Sequence, residues 1–487
     1  MQVAIIKNFV FISSVQFLRI ICTIIQNKIV AFTLGLNDTG IFTILQSFIA
    51  SMATLANFSL SESGCRTIAK KQSMEELQTA LKTLLFLIVL LALFFSSIGF
   101  FFSNRISVFL FDSPNYTNSI RVCWIAVAVA AISKGLIAIV NGFQQIRKYV
   151  FIHVFGYLLS CALFVTSIIK FKSATFFPYL LLVNELCILT ACLCFFPYRK
   201  IDLSIPLSFY DSKKFGKHII KLTLGFFSAV ILSSIMPLCT KSFLNHQYGL
   251  EIVGLYQAAW QVSGLYTGFI ISSMGVDFIP RATKVIDSKT KLNDLVNDQI
   301  VFGLLLSGIA IVAVISFSDL FLTILYTSKF VKASYIIRWQ ILGVALRVIS
   351  FPFTYSLIAL GKSKVYLIIQ TLFWIGEFLL LVFVSNIWGE KALGSNYFIG
   401  YSIYTISAIC TGIYYFNYRP TKKLMKLAGI NMISIVFSLV NVYCFSGLLR
   451  VLFSCVIITF LCTAIWKQSY SILNCSPLEL IRLKTKQ

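Results

Sequence analysis

Carboxylates are scarce in this chain: 17 Asp and Glu stand against 41 Lys and Arg, and charged residues of all kinds make up only 12% of 487 positions. A chain with so few charges cannot clothe a sizeable soluble domain in water, so none is expected. No acid pair lies in an extended segment where a metal and a sugar nucleotide would bind. Histidine is equally thin: His153, His218 and His246 are far apart, and the C-x-C of Cys192 and Cys194 lacks partners at metal-ligand spacing, so no metal site is expected. A Gly-rich cradle followed by Lys-Ser/Thr is missing, which argues against ATP hydrolysis within the chain. A disulfide framework is missing too, since most of the 13 cysteines sit inside apolar stretches as small hydrophobes.

Apolar residues fill the space left. They make up 58% of the chain, with mean hydropathy +0.88, and fall in runs separated by short loops. A span of about 20 apolar residues crosses a bilayer, and the runs predict fourteen membrane helices, from 8–34 and 40–61 to 429–446 and 449–466. The basic clusters Arg66/Lys70/Lys71, Arg147/Lys148, Arg199/Lys200/Lys213/Lys214/Lys217, Arg281/Lys284/Lys289/Lys291, Lys362/Lys364 and Arg419/Lys422/Lys423/Lys426 occupy every second loop. Positive charge stays on the cytoplasmic side, which places both termini there. Topology thus accounts for most of the net charge of +24, with anionic membrane lipids as partners and no nucleic acid. The first run lacks a small-residue cleavage site and reads as a retained helix.

An internal repeat overlays the first hairpin on the seventh and eighth helices. Gly35-Leu36-Asn37-Asp38-Thr39-Gly40-Ile41-Phe42 matches Gly249-Leu250-Glu251-Ile252-Val253-Gly254-Leu255-Tyr256, with Lys28 and Lys241 a similar distance upstream. Leu110-Phe111-Asp112-Ser113 with Trp124 echoes Leu325-Tyr326-Thr327-Ser328 with Trp339. The expected architecture is all-α and polytopic: a six-helix lobe over 1–210, a second over 211–420, and a helix hairpin with a basic cytoplasmic tail over 421–487. Six helices per half is even, so the lobes should be related by a pseudo-two-fold axis along the membrane normal. Arg450, in the hairpin, is expected to snorkel.

Polar groups inside spans need a partner or a wet cavity. In the first helix Ser13, Gln16, Arg19, Thr23, Gln26 and Asn27 share a sector of about 140°, continued in the second by Gln46, Thr54, Asn57 and Ser61. Arg19, Lys28, Lys134, Lys241, Arg338 and Arg347 lie within spans, whereas acids at comparable depth are chiefly Glu185 and Glu377. That excess predicts a cationic cavity for an anionic substrate; Arg suits phosphate through its planar fork and Lys acts as a point charge. Glu185 and Glu377 are candidates for coupling to H⁺ or Na⁺, against a structural pairing with a base such as Arg338. Gly264 and Gly268 are spaced for close helix contact, and Pro352 interrupts the tenth span.

With these features the chain resembles the Wzx-type O-antigen flippases, including the enterobacterial lipid-III translocases, of the multidrug/oligosaccharidyl-lipid/polysaccharide exporter superfamily. The resemblance covers about 8–418 and rests on Asn27-Lys28-Ile29-Val30-Ala31-Phe32 leading to Gly35, on Val253-Gly254-Leu255-Tyr256-Gln257 with Pro280, and on Ser328-Lys329-Phe330 followed by Trp339-Gln340-Ile341-Leu342-Gly343 and Arg347. It implies a non-enzymatic transporter of the bacterial inner membrane with two MATE-like lobes around a cavity that opens to alternate sides. The implied substrate is an undecaprenyl-pyrophosphate-linked glycan, an O-antigen repeat unit, moved to the periplasmic leaflet for lipopolysaccharide biosynthesis. A polysaccharide polymerase and chain-length regulator are the implied protein partners, and no cofactor beyond H⁺ or Na⁺ is called for. Arg19, Lys28, Lys241 and Arg347 match positions that are basic in that family; Gly264 stands where some members have an acid, and the hairpin after Pro420 lies outside the best match. The alternatives are a multidrug cation exporter of the same fold, which would call for cavity acids, and a membrane-embedded polymerase or glycosyltransferase, which would call for a large external loop.

Overall fold

The computed structural model describes residues 2–58, 60–61, 64–65, 68, 74–197 and 230–473. The expected lobe boundary at 210/211, His218, the basic tail and the loop residues Arg66, Lys70, Lys71, Arg199, Lys200, Lys213, Lys214 and Lys217 lie outside them. Every regular element is a helix, with no strand among the described residues. In chain order these are α1 (Gln2–Thr33), α2 (Leu36–Asn57), α3 (Met74–Phe101), the short α4 (Ser103–Phe111), α5 (Thr117–Gly142), α6 (Ile146–Phe171) and α7 (Phe177–Phe195). Then come α8 (described over 230–248), α9 (Leu250–Lys284), α10 (Lys289–Ser316), the short α11 (Ser318–Leu325), α12 (Ser334–Ala359), α13 (Ser363–Trp388), α14 (Ser395–Phe416), α15 (Lys422–Cys444) and α16 (Gly447–Leu473).

Eleven helices among the described residues are long and apolar enough to cross a membrane by length and composition. Each of the fourteen expected spans overlaps a described helix; α8, α9 and α14 are the three beyond that eleven. In α14, Ser395, Tyr397, Tyr401 and Tyr404, which lower its hydropathy, are buried, whereas Tyr414 near its end is exposed.

The chain forms two compact units, Met1–Leu255 and Tyr256–Gln487. In the first, α5 packs against α2, α3 and α7, and α6 against α1 and α7, around Leu81, Leu84, Ile88, Ile139, Val140 and Ile152. In the second, α12 packs against α10 and α14, and the hairpin α15–α16 lies on α10, around Phe278, Val348, Phe353, Phe416 and Leu427. Large apolar side chains also face outward, Phe101 at 85% exposure with Phe86 and Phe94 on the same helix. Lipid tails accept such a surface, so packing and internal hydrogen bonds hold the helices together.

The repeated turn has a physical reason. Gly35 and Gly249 adopt φ of +94° and +85°, the left-handed region that side chains resist, and each carbonyl accepts from the amide four residues on, Thr39 and Val253. The second glycine of each motif permits a close approach. A Cβ on Gly40 would lie 2.2 Å from the Leu250 carbonyl oxygen, and one on Gly254 would lie 2.6 Å from the Leu36 carbonyl oxygen. Leu36 and Leu250 occupy the same motif position, so the contact is reciprocal, as at a two-fold interface. The second echo is equally real. A long helix, a short helix, a 3₁₀ turn and a long helix follow one another as α3, α4, Pro114–Tyr116, α5 and again as α10, α11, Ser328–Ala333, α12. In each, an aromatic at the end of the short helix meets one in the turn: Phe111 on Tyr116 at 4.2 Å, Tyr326 on Phe330 at 4.9 Å between ring centroids.

Two expectations about glycine and proline change. Among the described residues Gly264 and Gly268 make no close helix contact, for a Cβ on either would meet nothing within 4 Å. Pro352 lies inside a helix that runs unbroken from Ser334 to Ala359.

Candidate functional site

Two polar clusters emerge, one in each unit. In the first unit, α1 presents Gln16, Arg19 and Lys28 at its surface but buries Gln26 and Asn27, so the polar stripe divides along its length. The charge of Arg19 acts on Tyr149, His153 and Tyr157 of α6 and on Glu185 of α7. Lys134 of α5 acts on Glu185 as well, and its Nζ donates to Thr54 Oγ1 at 3.0 Å and to the Ala50 carbonyl at 3.4 Å. The stripe on α2 therefore fastens α5: Thr54 holds Lys134, Asn57 Nδ2 donates to the Ala131 carbonyl at 3.1 Å, and Asn57 Oδ1 accepts from Ser61. Glu185 thus lies within the electrostatic reach of two bases, Lys134 and Arg19.

Lys241 does not join this cluster. It is buried in the packing of α8 on α2, donating to Ser47 Oγ and, at 3.3 Å, to the Thr43 carbonyl. Nor is it the counterpart of Lys28. Counting back from Gly249 and from Gly35, Lys241 aligns with the buried Asn27, while Lys28 aligns with Ser242. One residue is about 100° of helix rotation, enough to carry Lys28 to the surface.

In the second unit, Arg347 of α12 faces tyrosines of α14. Its Nη1 donates to Tyr397 Oη at 3.4 Å, and its guanidinium lies 5.9 Å from the centroid of the Tyr401 ring. Tyr397, Tyr401, Tyr404 and Phe373 stack in series at 4.5–5.7 Å. From α13, Gln370 Nε2 donates to Tyr404 Oη at 2.9 Å and to Tyr366 Oη at 3.4 Å. No carboxylate pairs with Arg347 among the described residues. Below this layer Glu377 of α13 is buried, packs on Gly400, and accepts from Asn396 Nδ2 at 2.5 Å. An amide is its partner, not the base that the sequence suggested.

Arg338 is drawn elsewhere. Its Nη2 lies 3.3 Å from Asp319 Oδ1, and its guanidinium sits 5.6 Å from the Tyr443 ring centroid. Asp319 Oδ2 also accepts from Arg450 Nη1 at 2.7 Å, while Arg450 Nη2 reaches the Ser316 carbonyl at 2.9 Å. Arg450 is thus ion-paired rather than snorkelling. Burial pushes the Asp319 carboxyl upward, but the hydrogen bond and charge of Arg450, with Ser334 and Arg338, outweigh it and hold the group below its ordinary range. Asp319 escaped the sequence reading because its short helix, α11, lies between the long apolar spans. The tyrosines escaped it because aromatics in a membrane span are ordinary, although Tyr397, Tyr401 and Tyr404 recur at helical spacing.

The chain is similar to known proteins. A family described as polysaccharide biosynthesis protein matches residues 5–286. The lipid III flippases of Escherichia coli (strain K12) and Shigella flexneri are each 23% identical over 316 residues, covering 63% of this chain and 73% of theirs. Among solved structures, the lipid II flippase MurJ in an inward closed conformation superposes with a TM-score of 0.73 at 14% identity, over 94% of this chain and 99% of that one. An inward-facing multidrug-resistance MATE transporter of the MOP superfamily gives 0.69 at 14% identity, over 84% and 96%. The fold is that of this superfamily.

Proposed function

The chain belongs to the polysaccharide biosynthesis protein family, and from that premise we propose that it is a flippase for a lipid-linked glycan. The substrate is an undecaprenyl-pyrophosphate-linked oligosaccharide, an O-antigen repeat unit, carried from the cytoplasmic to the periplasmic leaflet of the bacterial inner membrane by alternating access. Relatives that are lipid III flippases support the lipid-linked class. The observation that carries the chemistry is Arg347: a cationic fork set among tyrosines, donating one long hydrogen bond and lacking a carboxylate among the described residues. A pyrophosphate supplies the missing acceptors.

Arg19 and Lys134 serve the headgroup in the first unit, and Glu185 and Glu377 couple transport to H⁺ or Na⁺. Lys28 meets anionic lipid or headgroup at the end of α1, whereas Lys241 and Arg338 support the helices that present the others. The product goes to a polymerase with its chain-length regulator. The test is transport by the full-length protein in proteoliposomes loaded with undecaprenyl-pyrophosphate-linked oligosaccharide, scored by access of an impermeant glycosidase to the far leaflet. The reading predicts transport of the glycan lipid and none of a cationic dye; the opposite pattern makes the protein a drug exporter.

A further inference from the structure

His153 has no role in the cluster described so far, yet it is the least satisfied polar side chain there. It is 8% exposed, and among the described residues neither Nδ1 nor Nε2 has a hydrogen-bond partner. A neutral imidazole offers one donor and one acceptor, and leaving both unmet is costly. The ring is nevertheless held in place, edge-on to Tyr149 at 4.5 Å and stacked on Tyr157 at 5.4 Å between centroids. All three residues lie on one face of α6, which packs against α1, bearing Arg19, and α7, bearing Glu185.

We propose that His153, with Tyr149 and Tyr157, forms a subsite for the sugar attached to the pyrophosphate, with Arg19 holding the phosphate beside it. The inference rests on the flippase reading and adds the residues that recognise the glycan. A sugar hydroxyl both donates and accepts, which matches the two ring nitrogens, while a phosphate oxygen only accepts. Sugar rings present C–H faces that lie against aromatic rings, which Tyr149 and Tyr157 provide. Both nitrogens are covered in this structure, so the subsite has to open for a sugar to reach them.

The test measures binding of two probes to the detergent-solubilised full-length protein: undecaprenyl pyrophosphate, and the same lipid carrying one N-acetylhexosamine. Wild type should bind the glycosylated lipid more tightly. His153→Phe keeps the ring stacking but removes both nitrogens; it should weaken the glycosylated lipid about tenfold, the worth of two hydrogen bonds, and change the bare lipid less than twofold. His153→Gln, which retains a donor and an acceptor, should recover part of the difference, and this shows that the loss is not misfolding. Arg19→Ala should weaken both lipids. Equal weakening of both by His153→Phe would make the residue a headgroup ligand, and unchanged binding of both would make it a packing residue; either overturns the subsite. Wild type that binds neither lipid would remove the flippase reading itself, an outcome distinct from both.

Discussion

Arg347 and Glu377, on consecutive helices, meet the cost of a buried charge differently, one among tyrosine rings and the other against an amide. The guanidinium stays charged at any physiological pH, so in an aromatic setting with no carboxylate paired to it among the described residues its attraction falls on whatever anion enters. Arg347→Ala should therefore lower transport of the glycan lipid roughly tenfold to a hundredfold, the loss of a charge-assisted hydrogen bond, and Arg347→Lys should recover only part because it lacks the fork. Surface polysaccharide in cells that depend on this protein, measured at matched protein level, checks both. Sequence revealed Arg347 because charge in a membrane span is costly enough to need a reason. It did not reveal Tyr397, Tyr401, Tyr404, Tyr366 and Gln370 around it, since their convergence depends on how α12, α13 and α14 pack. For Arg338 the same inference led to a different place: the charge cost is met by Asp319, an acid on a separate short helix that periodicity within spans cannot find.

At the scale of elements, two devices can be tested by stability. Gly40 and Gly254 face main-chain oxygens, which cannot step aside as a side-chain end would. Gly40→Ala and Gly254→Ala should each cost about 1–3 kcal/mol, seen as a lower midpoint of thermal unfolding in detergent. Gly264→Ala, with open space around the added methyl, should be neutral or stabilising by up to about 1 kcal/mol from helix propensity. That contrast was partly legible: the paired glycines were visible as a repeated string, whereas the different fate of Gly264 depends on neighbours that no spacing rule supplies. The second device is the latch in which Asp319 ties α11 to Arg338 of α12 and Arg450 of α16. Its carboxyl is held below the ordinary value near 3.8, so the stabilisation is complete above that pH and is lost as pH falls through the lower folded value. Unfolding midpoints should drop on acidification below about pH 4. Asp319→Asn, which strands two guanidinium groups, should lower the midpoint at neutral pH and flatten its acid dependence.

For the molecule as a whole the open question is what drives net movement. A glycan lipid at equal concentration in both leaflets gains nothing by crossing, and the sequence offers no nucleotide cradle, so an ion gradient or removal of product must supply the direction. Under the proposed function, Glu185 and Glu377 are the acids that would take the ion. Glu185 stands in the field of Arg19 and Lys134, so entry of a phosphate at those bases would alter its hold on a proton or Na⁺; Glu377 is buried against Asn396, where a change in its charge bears on the contact between α13 and α14. In proteoliposomes, ATP should leave transport unchanged, while an imposed proton or sodium gradient should accelerate it. Glu185→Gln and Glu377→Gln should each abolish that acceleration and leave only slow equilibration, measured with the same impermeant glycosidase. If both variants respond to the gradient as wild type does, the carboxylates are structural, and polymerisation of the exported glycan becomes the remaining source of direction.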